Sequence, residues 1–110
     1  MDGMEAWARG NLHYQMNEVR GRVALRRDQR AGAISFLQRA GRTEGSPQLS
    51  SFGPRFVLAR ELLEVRERDA VLEFLGAVGE FWRGTDAAAS LDAARRIIEA
   101  GGIPSDVRWR

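Results

Sequence analysis

The sequence predicts an all-α chain, about five helices arranged as antiparallel hairpins stacked in a short array. Three observations carry that expectation. Apolar residues recur at helical spacing through most of the chain, and no segment alternates convincingly with period two. The strong breakers fall between those stretches: Gly41, the run from Gly45 to Pro54, Gly84, and Gly101-Gly102 with Pro104. A block of twenty residues also repeats, without gaps, at an offset of 38.

Helix one is expected over residues 12–27. Leu12, Met16, Val19 and Val23 stand at i, i+4, i+7 and i+11, while Gly21, Ala24 and Leu25 point to roughly the opposite side. Gln15, Arg22 and Arg26 share a flank between the two. A helix with two apolar sides has to pack on both, which suits a layered array. Asp28 and Gln29 form a tight connection. Helix two follows over 30–40, burying Ala33, Ile34, Leu37 and Ala40, with Gly41 placed to end it.

The joint G-S-P-Q-L-S-S-F-G-P, from Gly45 to Pro54, holds two of the chain's three prolines. Gly45, Ser46 and Pro47 suit a turn, and Leu49 and Phe52 can tuck into the stack. Gln48, Ser50 and Ser51 are left over as possible loop contacts, since the joint is longer than a usual connection between stacked hairpins. Pro54 is expected in the first turn of helix three (54–65), with Ser51 or Gly53 as its cap. Helix four covers 68–82, with Phe74, Phe81 and Trp82 as its buried seam. Helix five covers 91–100, capped by Ser90 and stopped by the glycines and Pro104.

The repeat lays Gly21–Ala40 over Ala59–Val78. Arg22/Arg60, Leu25/Leu63, Arg30/Arg68, Phe36/Phe74 and Leu37/Leu75 are identical. Gly21/Ala59, Ala33/Val71, Ile34/Leu72 and Ala40/Val78 keep size or apolar character. A period of this kind marks helical-hairpin units that bury their apolar faces by stacking on neighbours. The small residue at Gly21 or Ala59 lets a first helix approach its partner closely. Ala94 with Ile97-Ile98 repeats that opening once more, but no matching second helix follows. The organisation is one domain, 1–110: hairpin one at 11–41, a loop at 42–53, hairpin two at 54–83, and a half-repeat at 90–101.

Gly21, Ala24-Leu25, Ala33, Leu37 and Ala40 resemble the tetratricopeptide-repeat signature of a small residue, aliphatic positions, then Ala-x3-Phe/Leu-x2-Ala. The first-helix tryptophan is absent, the unit is longer than usual, and the closing proline is displaced into the loop. G-R-V-A-L-R-R, G-S-P-Q-L-S-S-F-G-P, L-A-R-E-L-L and the Phe81-Trp82 pair resemble, as a set, the C-terminal part of a group of uncharacterised bacterial proteins with tetratricopeptide-like helices. The resemblance covers about Gly10 to Pro104. It implies a right-handed stack and, by analogy, protein binding.

Composition removes several functions. There is no cysteine, hence no disulfide framework, thiolate metal site or thiol nucleophile. No apolar run approaches the ~20 residues a bilayer span needs and no signal peptide opens the chain, so a cytoplasmic location without a membrane role is expected. His13, the one histidine, has no recognisable partners for catalysis or metal binding, and Glu61, Glu64, Glu67, Asp69 and Glu73 read as a solvated face paired with arginine. No phosphate-binding glycine motif occurs. No cofactor and no enzymatic activity are expected. All seventeen basic residues are arginine; eight precede Pro54 against five acids, and nine follow against ten.

The expected function is a non-enzymatic protein-interaction or scaffolding module that binds a protein partner. Gln15, Arg22, Arg26, Arg55, Arg60 and Glu64 are its contact residues on the side lined by first helices. Helix five lacks a partner, which predicts an open apolar flank and a homo-oligomer. Trp7 and Trp109, near the termini, are candidates to dock on the body or on another subunit. The alternative is a helical nucleic-acid-associated protein using Arg20, Arg22, Arg26, Arg27 and Arg30; a small-molecule pocket within the stack is a third.

Overall fold

A computed structural model describes residues 2–43, 45, 49 and 53–110, with side chains from Arg9 onward. Among them every regular element is helical. The order is α1 (Asp2–Arg26), α2 (Arg30–Gly41), α3 (Val57–Glu64), α4 (Arg68–Phe81) and α5 (Ala87–Glu99), then a 3-10 turn, η1 (Val107–Trp109). α1 pairs with α2 and α3 with α4. α3 also lies on α1 and α2, α4 on α2, α5 on α4, and η1 on α3. The core runs through the stack, with Leu37, Leu58, Leu62, Val71, Leu75, Val78 and Ile98 fully buried. Gly21 marks the closest crossing: a Cβ there would stand 2.3 Å from Leu58 Cδ2 and 3.2 Å from Phe36 Cβ.

The repeat extends to the backbone hydrogen bonds. α1 ends at Arg26 and α3 at Glu64, 38 residues apart; α2 and α4 begin at Arg30 and Arg68. After α1, Asp28 N–H donates to Leu25 C=O (3.1 Å) and Gln29 N–H to Ala24 C=O (2.9 Å). After α3, Arg66 N–H donates to Leu63 C=O (3.0 Å) and Glu67 N–H to Leu62 C=O (3.0 Å). Both ends are Schellman motifs. Both place a non-glycine residue in the left-handed region, Asp28 at φ 59° and Arg66 at φ 67°. α5 closes the same way: Gly101, at φ 94°, donates to Ile98 C=O and Gly102 to Ile97 C=O, each at 2.9 Å.

Three helix starts differ from expectation. α1 begins at Asp2 rather than near residue 12. α3 begins at Val57, so Pro54 precedes it and does not occupy its first turn. The reason is tertiary: Phe56 N–H donates to Arg108 C=O at 2.7 Å, which holds the preceding chain against the C-terminal segment. Ser51, proposed as a cap, lies outside the described residues. α5 begins at Ala87, so Ser90 sits inside it and donates its N–H to Asp86 C=O (2.9 Å). Three consecutive alanines favour the extra turn, and Ala87 and Leu91 bury the same face. No helix of the described residues is long and apolar enough to cross a membrane.

Candidate interaction surfaces

Successive residues on a helix turn by about 100°, which divides α1 into two faces. Tyr14, Asn17, Gly21 and Ala24 point inward and are buried. The opposite face carries Leu12, Met16, Val19 and Val23, exposed at 55%, 40%, 58% and 42%. Only one of the two apolar sides is therefore packed among the described residues. Arg9, His13, Arg20 and Arg27 border this ridge on the side toward α2, with Gln15, Arg22 and Arg26 on the side toward α3. A shallow groove of about 490 Å³ runs along it, lined by Arg9, Leu12, His13, Met16 and Arg42.

The six contact residues expected from sequence fall along the α1–α3 side, and most are engaged within the chain. Arg22 Nε and Arg26 Nη2 converge on one carboxylate, reaching Glu61 Oε1 at 2.8 Å and Oε2 at 3.2 Å. Arg60 pairs with Glu64 one turn along α3 (3.4 Å). Arg55 donates to the Arg110 carbonyl. Gln15 is exposed and lines, with Tyr14, Glu18, Leu49, Pro54 and Arg55, a cleft of about 210 Å³. Arg30 reaches Glu67 (3.6 Å), tying the first unit to the second. Gln48, Ser50 and Ser51 lie outside the described residues. At the near end of that loop Thr43 Oγ1 donates to Gly10 C=O (2.7 Å) and accepts from Gly45 N–H (3.2 Å). Within the loop Leu49 is buried.

Two residues of consequence carry no marker in the sequence. Glu18, on α1, accepts at Oε1 from Val57 N–H (2.9 Å) and Leu58 N–H (3.2 Å), the first two amides of α3. It caps a helix whose own cap position, Phe56, offers no side-chain acceptor. Burial pushes the Glu18 carboxyl above its ordinary pKa, against the opposing pull of those two amides. Tyr14 donates its hydroxyl to Arg55 C=O (2.6 Å). Burial, with the nearby Glu18 carboxylate adding to it, raises that phenol well above the usual range.

The C-terminal segment completes the cap of α3. Trp109 is buried, its ring centroid 4.8 Å from that of Phe56, which in turn meets Phe74 at 6.0 Å and Trp82 at 6.4 Å. The Arg108 guanidinium lies 4.3 Å over Trp82. Asp106 Oδ1 accepts from Arg108 N–H (2.9 Å), which shapes η1. Trp109 thus docks on the body of its own chain, and Phe74 and Trp82 form a buried seam; the Trp7 side chain lies outside the described residues. Among the described residues no group of three or more His, Asp or Glu could hold a metal ion. Comparison of the chain with protein families, with curated proteins and with solved structures found no match.

Proposed function

We propose that the chain is a non-enzymatic protein-interaction or scaffolding module of tetratricopeptide-like type. The observation that carries this reading is the ridge of Leu12, Met16, Val19 and Val23, an apolar stripe left open on a helix that otherwise packs into a well-formed core. A contiguous stripe of this kind, bordered by polar groups, is the surface expected of a docking site. The arginines between residues 20 and 30 favour this reading over nucleic-acid binding. Arg22 and Arg26 are held by Glu61, and Arg30 by Glu67, so three of the five guanidinium groups meet carboxylates before any phosphate. A nucleic-acid surface presents a less neutralised basic stripe.

A photo-cross-linking residue placed at Val19 tests the reading. A discrete adduct is expected in cells from position 19 and none from an exposed control at Arg83. Equal, diffuse labelling from both positions would sink it. Duplex DNA or RNA binding that weakens steeply with salt would favour the alternative.

A further inference from the structure

The two outer helices of the array each leave an apolar flank uncovered among the described residues, and the repeat register says what would cover the flank of α5. Ala24 and Leu62 occupy equivalent places in α1 and α3, and both are buried, Ala24 lying against Gly32 of α2. The equivalent residue of α5 is Ile97, which stands 42% exposed. α5 terminates in the same Schellman geometry that elsewhere leads into a second helix, but Pro104 follows and the chain turns back to seat Trp109. No described element of the chain therefore occupies the place of a second helix in the third unit. Its floor is Ala93 and Ile97, with Ile103 also 40% exposed nearby.

We infer that this place is filled by α1 of a second copy, its Leu12–Val23 ridge laid on the open flank of α5, giving a head-to-tail contact. The inference rests on the reading of α1 as an interaction ridge. Three features select this occupant. The flank continues a helix-on-helix surface that the chain already uses twice. The lengths match, since the ridge spans about 16 Å and α5 about 20 Å at 1.5 Å per residue. The charges are complementary: beyond Arg22 and Arg26, which are held by Glu61, residues 9–27 carry three arginines against Glu18, whereas residues 86–106 carry Asp86, Asp92, Glu99 and Asp106 against Arg95 and Arg96. Pairing α1 with another α1 would instead set arginine against arginine along both borders. A head-to-tail contact leaves one free face on each end and so propagates to a ring or a filament.

Sedimentation of the full chain at rising concentration and low salt is the test, with Val19→Glu and Ile97→Glu as variants whose folding is checked by circular dichroism. Wild type is expected to exceed twice the monomer mass as concentration rises. Each variant alone should weaken assembly by about tenfold or more, since a lone carboxylate would be buried in an apolar seam. Mixed in equal amounts, the two variants should form a heterodimer and stop there, because each retains one intact face. Assembly of Ile97→Glu at wild-type strength would mean that α5 is not the seat. A wild-type chain that stays monomeric throughout would overturn the self-contact. The cross-link at position 19 then decides separately whether the ridge binds some other protein.

Discussion

α1 and α3 occupy the same place in successive units and end in the same hydrogen bonds, yet one has 25 residues and the other eight. α1 is long enough to hold helical structure with one face unpacked. An eight-residue helix is far below the ~12–15 residues at which isolated helices become even marginal in water. α3 exists because others finish it: Glu18 takes its first amides, the Arg108 carbonyl takes the Phe56 amide, and Leu58, Ala59, Leu62 and Leu63 are all buried. The repeated residues set the backbone path and supply much of the core, whereas the start of α3 is completed by residues outside the repeat.

The largest test of that contrast is Trp109→Ala. Removing a buried aromatic and its contact with Phe56 is expected to lower stability by about 3–5 kcal/mol in denaturant unfolding. An effect below 1 kcal/mol would mean that α3 does not depend on the C-terminal segment. Next is Glu18→Ala, expected to cost about 1–2 kcal/mol by leaving two amides of α3 without an acceptor. Glu18→Gln keeps an acceptor and removes the charge. Because the folded-state pKa of Glu18 lies above the ordinary value of 4.5, its contribution is greatest below that value and declines as pH rises through the raised one. The glutamine variant should therefore lose less than the alanine variant at neutral pH. Its standing relative to wild type should fall on acidification toward 4.5, read from melting curves across that range.

The smallest effects concern the shared helix ends. Arg66→Gly removes the cost of a side chain at positive φ and should stabilise by about 1 kcal/mol. Asp28→Gly should gain less, since aspartate tolerates that conformation better. Gly101→Ala should lose about as much as Arg66→Gly gains. Equal gains at Asp28 and Arg66 would blur the distinction between the two units, and a loss at both would show that the side chains hold these turns for another reason.

Helix number, the repeat and the C-terminal ends of the helices were legible because each is written in local spacing: a 3.6-residue period, a 38-residue offset, a break in the apolar pattern; three of the helix starts were not. The clustering of Gln15, Arg22, Arg26, Arg55, Arg60 and Glu64 on one side was legible for the same reason, since equivalent helices stack in register. Their pairing was not. Arg22 and Arg26 converge on Glu61 from 39 and 35 residues away, and Glu61 reads in sequence as one of five acids on a solvated face. Glu18 is one more polar residue in a helix until α3 is brought to it. The apolar period of α1 reveals two sides to cover, but not that one of them stays exposed among the described residues.

The bond from Phe56 N–H to Arg108 C=O joins residues 52 positions apart and encloses α3, α4 and α5 in one loop. Closing a loop of that length costs on the order of 3–4 kcal/mol in chain entropy, whereas the turn between α1 and α2 closes within a few residues. Hairpin one can form from contacts near in sequence. The seat of α3 must wait for two distant segments to meet, and it is the first thing lost when they part. α3 and the C-terminal turn should then exchange their amide hydrogens as a single cooperative unit, faster than α2 and α4 on which they rest.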